Sequence, residues 1–323
     1  MKSVTTEILN AIKAADTILV VGHIRPDGDC VGSALAVRHI CEKLGKAADA
    51  VCDADKPLAY SFLPEYKYFC APRYKNYDLF IAVDCATESR LGEYRAQLQS
   101  AKNSICIDHH PTNIGYCKYN YIVPDACSTC FILFDIFKDV EGSIDKDCAS
   151  MLYTGLSTDT GHFMHSNTTA EVFRTAAALT EYGIDIAKLN HDLYCSNGFN
   201  KIKLTARALG GIILYESGKI ALMNISLKDL QDSGCTSEDT EGLINNAKGI
   251  AGVEIAISMC EQPGNLFRVS FRSVSADVSA AAAKFGGGGH KLAAGCIITG
   301  NRYDVMEKVV AAAISVLNNE RTD

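Results

Sequence analysis

The sequence predicts an α/β protein of two domains, an N-terminal domain on a parallel sheet and a smaller C-terminal α/β domain on a mixed sheet, with an active-site cleft expected between them. Three features predict it. The first half repeats an apolar run of strand length followed by a segment of helical spacing, which is the pattern of βα units. That rhythm breaks at Ser196, Asn197 and Gly198. The second half then reads as hairpins with helices between and after them. The corresponding boundaries are 1–190, a linker over 191–206, and 207–323. With 323 residues, each part is long enough to bury a core of its own.

Each element has its own justification. "MKSVTTEILNAIKAAD" has the polar and apolar faces of an opening helix. "TILVV" is apolar and largely β-branched, so it reads as a buried parallel strand, and "CVGSALAVRHICEKLG" after it carries apolar residues at helical spacing. A short strand is expected around "DAVCDA", then further strands in "YDLFIAVDC" and "SICIDHH". "STCFILFDIF", "CASMLYTGLSTDTG" and "TTAEVFRTAAALTEYG" read as helices. In the second half, "GGIILYESGKIALMNIS" and "VEIAISMCEQPGNLFRVSFRS" read as hairpins turning at Ser217-Gly218 and Pro263-Gly264, and "RYDVMEKVVAAAISVLNNE" as a closing amphipathic helix.

Composition narrows the function classes. Hydrophobic residues make up 48% and charged residues 21%, the balance of a globular protein without long disordered tracts. No apolar run approaches the roughly 18 residues of a membrane helix, and the N-terminus lacks the form of a signal peptide, so a cytoplasmic location is expected. The 14 cysteines are spread through strands and helices, which suits free, mostly buried thiols better than a disulfide framework. Cys127 and Cys130 form a lone C-x-x-C with no partner pair, so zinc or redox use is not favoured there. A net charge of −7 argues against a long-duplex DNA binder while leaving room for a local basic pocket and a small or single-stranded phosphate substrate.

The chemistry is concentrated at element ends. "VGHIRPDGDCVGS" packs His23, Asp27 and Asp29 into the loop after the first strand, "IAVDCAT" puts Asp84 after another, "CIDHHPT" adds Asp108, His109 and His110, and "LSTDTGHF" adds Asp159. Asp and His in turns also serve as caps, yet in a parallel sheet three of these four places share the carboxyl edge where ligands bind. Five gathered carboxylates repel unless cations hold them. An oxygen and imidazole set without an obvious thiolate suits Mn²⁺, with Mg²⁺ or Co²⁺ as alternatives, and disfavours structural zinc. Cys85 and Cys106 read as core residues. Two octahedral ions about 4 Å apart, sharing a carboxylate, can clamp both oxygens exchanged in hydrolysis of a phosphoester.

The motifs "GHIRPDGDCVGS", "VDCAT", "IDHH" and "TDTGHF", in that order and spacing, resemble those of the DHH phosphoesterase superfamily. "FRSVSADVSAAAAKFGGGGHKLAAG" looks like the DHH-associated substrate domain, and the combination is similar to the nanoRNase and pAp-phosphatase branch. The resemblance implies one metal on His23, Asp27 and Asp84, and a second on Asp29, the shared Asp84, His109 and Asp159. It implies that His110 faces the scissile phosphate, that Asp108 orients its neighbours, and that Arg272, Gly288, Gly289 and His290 take a terminal phosphate. Arg90 in "ATESRLG" is a further candidate for phosphate, whereas His162 and His165 read as solvent-facing or supporting residues. The implied activity is hydrolysis of very short single-stranded oligoribonucleotides to mononucleotides and of the 3′-phosphate of pAp. Rival readings are a phosphodiesterase for cyclic dinucleotides or pApA, a pyrophosphatase, and a non-catalytic nucleotide-binding module. A homodimer is compatible with the sequence, which does not specify oligomeric state.

Overall fold

The computed structural model describes residues 2–52 and 57–319 and divides into two compact units, Met1–Ser196 and Asn197–Asp323. In the first unit the chain runs through α1 (Lys2–Ala14), β1 (Thr17–Val21), α2 (Gly28–Lys43), β2 (Ala47–Val51), β3 (Leu79–Val83), α3 (Arg95–Ser100), β4 (Asn103–Asp108), β5 (Tyr119–Ile122), α4 (Thr129–Phe137), α5 (Lys146–Asp159), α6 (Ala170–Glu181) and α7 (Ile186–Asn190). All five strands are parallel, in the order β2-β1-β3-β4-β5. β3 is apolar throughout, and β1 and β4 are apolar over residues 18–21 and 105–107, because helices and loops bury both faces of the sheet, and every residue of β3 is buried.

Local signals set the helix starts. Asp27, Ser128, Asp145 and Thr169 cap α2, α4, α5 and α6, each side chain accepting from a backbone N–H of the first turn. α2 lies against α5 with small residues between them. A Cβ on Gly28 would come within 2.5 Å of Thr158, and one on Gly32 within 2.5 Å of the Met151 carbonyl. The short strand expected around "DAVCDA" is β2, while residues 53–54 of that stretch, and 320 of the expected closing helix, lie outside the described residues.

The second unit contains α8 (Phe199–Gly210), β6 (Ile213–Tyr215), β7 (Ile220–Ile225), α9 (Leu227–Ser233), α10 (Ile244–Lys248), β8 (Ile255–Gln262), β9 (Leu266–Ser273), α11 (Val278–Ala283), β10 (Gly288–His290), β11 (Ala293–Thr299) and α12 (Arg302–Asn319). Its sheet is mixed, in the order β10-β11-β9-β8-β7-β6, and only the β7–β8 pair is parallel. The parallel pair follows from α9 and α10, which carry the chain back across one face before β8 begins. Most of the second half of the stretch read as a linker is helical. α8 packs Leu204 and Ala208 against Ala221, Met223 and Ala256 of this sheet. Among the described residues no helix is long and apolar enough to cross a membrane.

Candidate metal centre

Strand order dictates the centre. β3 lies between β1 and β4, so the residues just past their carboxyl ends emerge side by side at the spacing of neighbouring strands, about 4.8 Å. Asp84 therefore stands between His23 and His109. Its Oδ2 is 3.5 Å from His23 Nε2 and its Oδ1 is 3.5 Å from His109 Nε2. Its φ is +52°, a left-handed backbone uncommon for a non-glycine residue, and its N–H still pairs with the Ile107 carbonyl at 3.0 Å.

The two helices bring the remaining acids. Asp29, in the first turn of α2, is fully buried and accepts from the N–H groups of Thr129 at 2.6 Å and Cys130 at 2.9 Å, in the first turn of α4. Asp159, the last residue of α5, puts Oδ2 3.2 Å from His109 Nε2. Asp27 lies at the lip, its Oδ1 3.8 Å from His23 Nε2. Ligand-type atoms of His23, Cys30 and Asp84, of Asp84, His109 and His110, and of Asp29, His109 and Asp159 each lie within 4.8 Å of one another.

The histidine tautomers suit a metal. His23 Nδ1 lies 2.8 Å from the Ile24 carbonyl and His109 Nδ1 3.2 Å from that of Ala126. A carbonyl only accepts, so each Nδ1 carries a proton and each Nε2 faces Asp84, donating to its carboxylate while no cation is bound and being the nitrogen a metal would take. Arg90 Nη2 is 3.0 Å from the same His23 Nδ1, which cannot accept while it donates to Ile24. The guanidinium keeps donors for another acceptor. His110 Nδ1 is held 2.7 Å from Asp108 Oδ1, and the other oxygen of Asp108 accepts from Asn113 Nδ2 at 2.7 Å.

Without a cation the cluster is electrostatically frustrated. Burial, then the Asp84 charge, pushes the Asp29 carboxyl up to about 7, and burial with the charges of Asp29, Asp27 and Asp84 raises Asp159 well above the carboxylate range. Burial favours the neutral forms of Asp84 and His109, but their mutual hydrogen bond and the surrounding charges win. They hold Asp84 below the usual range and His109 up to about 10. Protons stand where cations would neutralise the acids, so the oxygen and imidazole donors present fit a divalent metal.

Three further groups support the cluster. Thr129 Oγ1 lies 3.1 Å from Asp84 Oδ1, Asn113 ties Asp108 to the Cys85 carbonyl, and the Cys30 thiol accepts from the His23 N–H at 3.1 Å. Thr129 is 45 residues from Asp84 in the chain, and no local pattern announces that meeting. Cys85, Cys106, Cys127 and Cys130 are buried free thiols, and all 14 cysteines are free.

Arg272, Gly288, Gly289 and His290 belong to the second unit. Pairing sets His290 opposite Ala293 and Ala293 opposite Arg272, so Arg272 and His290 share one face of the sheet two strands apart. Gly289 has φ +150°, and a Cβ there would meet the Ala293 carbonyl at 2.5 Å. The glycine run is thus a tightly paired strand and its approach. Arg272 is half-buried, which lowers its pKa, and donates to the Phe271 carbonyl at 3.1 Å with no carboxylate at ion-pair distance among the described residues.

Comparison with known proteins places the chain in a family. Residues 17–156 match the model of the DHH family, N-terminal domain, and residues 218–319 match that of the DHHA1 domain. The Thermus thermophilus protein named bifunctional oligoribonuclease and PAP phosphatase NrnA is 30% identical over 311 residues, covering 95% of this chain and 91% of its own. The Mycoplasma genitalium protein of the same name is 28% identical, covering 96% and 99%. A crystal structure of an exopolyphosphatase-related protein from Bacteroides fragilis superposes with a TM-score of 0.91 at 24% identity, covering 97% and 96%. With both family models matched in order and a full-length relative at 30% identity, the chain belongs to the DHH family and carries a DHHA1 domain.

Proposed function

We propose that this chain is a metal-dependent phosphoesterase that cuts short single-stranded oligoribonucleotides to mononucleotides and removes the 3′-phosphate of pAp. The observation that carries the reading is Asp84, set between the Nε2 atoms of His23 and His109 in a chain similar over its length to bifunctional oligoribonucleases and PAP phosphatases.

In this reading His23, Asp27 and Asp84 hold one divalent cation and Asp29, Asp84, His109 and Asp159 a second, with Mn²⁺ the ion that suits the donors best. Bound there, such ions supply positive charge to the phosphate and acidify water. The chain's own residues do the rest. Asp108 keeps the His110 proton on Nδ1, so Nε2 faces the phosphate ready to take up or share a proton. Arg90, with donors left over beside His23, contacts a phosphate oxygen. Arg272, His290 and the backbone of Gly288 and Gly289 bind the phosphate remote from the reacting bond, which favours substrates with a terminal phosphate and few residues.

The test is a substrate panel for metal-stripped protein supplied with Mn²⁺. It comprises pAp, pApA, a cyclic dinucleotide, pyrophosphate, and RNA of roughly two to five and about twenty nucleotides. Dinucleotides and the shortest RNA should turn over fastest, pAp should lose its 3′-phosphate, and the long RNA should be slow. Fast cleavage of the cyclic dinucleotide with little activity on linear RNA would replace the reading with a signalling phosphodiesterase. Tight nucleotide binding with no turnover of any substrate would replace it with a binding module.

A further inference from the structure

Immediately beyond Asp159 the backbone takes an unusual path. Gly161, His162 and Phe163 adopt positive φ in succession, at 56°, 57° and 64°, a region that non-glycine residues rarely enter. The turn is closed by the His162 N–H donating to the Ser157 carbonyl at 2.7 Å, and it brings the imidazole against the Tyr194 ring, centroid to centroid 4.7 Å at a tilt of 44°. Tyr194 itself stands in a single π-helical turn, His191–Cys195, a feature common at functional sites.

One polar atom of each ring is already engaged. The buried Ser157 hydroxyl lies 2.9 Å from the Tyr194 hydroxyl and 3.3 Å from His162 Nδ1. Tyr194 remains 38% exposed with its hydroxyl so engaged, and what it offers outward is ring surface. Phe163, ringed by Tyr153 and Phe173 at 6.3 and 5.4 Å, anchors the turn to the unit. His162 stands three residues beyond Asp159 and its N–H is tied back to α5, so the pair adjoins the end of the helix that carries the metal-side acid.

We propose that His162 and Tyr194 form a stacking platform for one nucleobase of the substrate whose phosphate sits at the Asp84 cluster. This rests on the functional reading above and names its base subsite. A pair made only for packing would bury both rings and would not need three left-handed residues to present one of them. Stacking on a ring whose hydroxyl is occupied elsewhere is sequence-tolerant, because every base has a π face.

Equilibrium binding of AMP and of ribose 5-phosphate to the Mn²⁺-supplied protein tests it, since the two probes differ only in the base. The parent should bind AMP about tenfold or more tightly than ribose 5-phosphate. Tyr194→Ala and His162→Ala should lose most of that preference, Tyr194→Phe should keep it, and ribose 5-phosphate should bind all four alike. Thermal unfolding checks each variant, and His162→Ala carries the test if Tyr194→Ala does not fold. The proposal is overturned if the parent shows no preference, if the preference survives in both alanine variants, or if both probes weaken together. Hydrolysis of a diribonucleotide by the parent is scored separately. No hydrolysis with a Tyr194-dependent AMP preference would remove the phosphoesterase reading and leave the platform.

Discussion

Gly155→Ala should damage a centre that Gly155 never touches chemically. In an exposed helix this change gains roughly 1 kcal/mol of helix propensity. At the middle of α5, however, the new Cβ would stand 2.9 Å from Cys130 Cβ, and closer still to Cys130 Sγ and Asp29 Oδ1, where ordinary contact begins at 3.4 Å. Neither neighbour can swing aside. Cys130 is buried in α4, and Asp29 is gripped by two backbone N–H groups. α5 must then retreat by about half an ångström or more, at the ~1–3 kcal/mol typical of overpacking, so the net stability loss should fall between about zero and 2 kcal/mol. Asp159 rides on the same helix and faces His109 at 3.2 Å, so the retreat opens the cluster. Misplacement on this scale should lower turnover by about ten- to a hundredfold. Urea unfolding, Mn²⁺ affinity and the kcat for a diribonucleotide measure the three effects. Gly210→Ala is the control, because a Cβ there meets nothing within 4 Å. A Gly155→Ala protein with parental kcat and a stability gain like that of Gly210→Ala would refute the claim that α2, α4 and α5 packing sets the centre.

Metal binding should tighten as pH rises. Mn²⁺ must displace protons from Asp29, pushed up to about 7, from Asp159, raised well above the carboxylate range, and from His109, held up to about 10, so between pH 6 and 7 the association constant should climb about a hundredfold or more, read by calorimetry in buffers of different ionisation enthalpy. A pH-independent constant without proton release would contradict the protonation pattern. Asn113→Ala removes the donor that fixes Asp108 behind His110 and should cost about 1.5–3 kcal/mol in kcat/KM, largely through kcat, which steady-state kinetics will separate from KM. Arg272→Ala or His290→Ala should raise KM mainly for substrates with a terminal phosphate, and identical effects on phosphorylated and unphosphorylated dinucleotides would remove the second unit from phosphate binding.

The strands nearest the centre were legible because a parallel strand buried on both faces must be apolar throughout, as "TILVV" and "LFIAV" are. His23, Asp84 and His109 were legible for a related reason, since each stands within two residues of the end of such a run. β5 was not anticipated. Its "YNYI" is half-exposed at the sheet edge and carries no apolar run to betray it. Thr129 and Asn113 reach the acids through tertiary packing, and the alignment of Arg272 with His290 depends on strand register across β11, which no local spacing encodes. The left-handed turn at His162 is equally silent, because only Gly161 among its residues advertises positive φ.

The central claim is that the Asp84 cluster performs metal-dependent phosphoester hydrolysis. It is tested most directly by the initial rate of diribonucleotide cleavage as Mn²⁺ is titrated into metal-stripped protein, parent and Asp84→Asn side by side. Removing one acid from a crowded cluster relieves repulsion, so Asp84→Asn should keep the parental circular dichroism. The parent should rise from no activity to saturation, and Asp84→Asn should stay at least about a hundredfold slower at every Mn²⁺ concentration. Cleavage by the stripped parent, or near-parental rates from Asp84→Asn, would contradict the account.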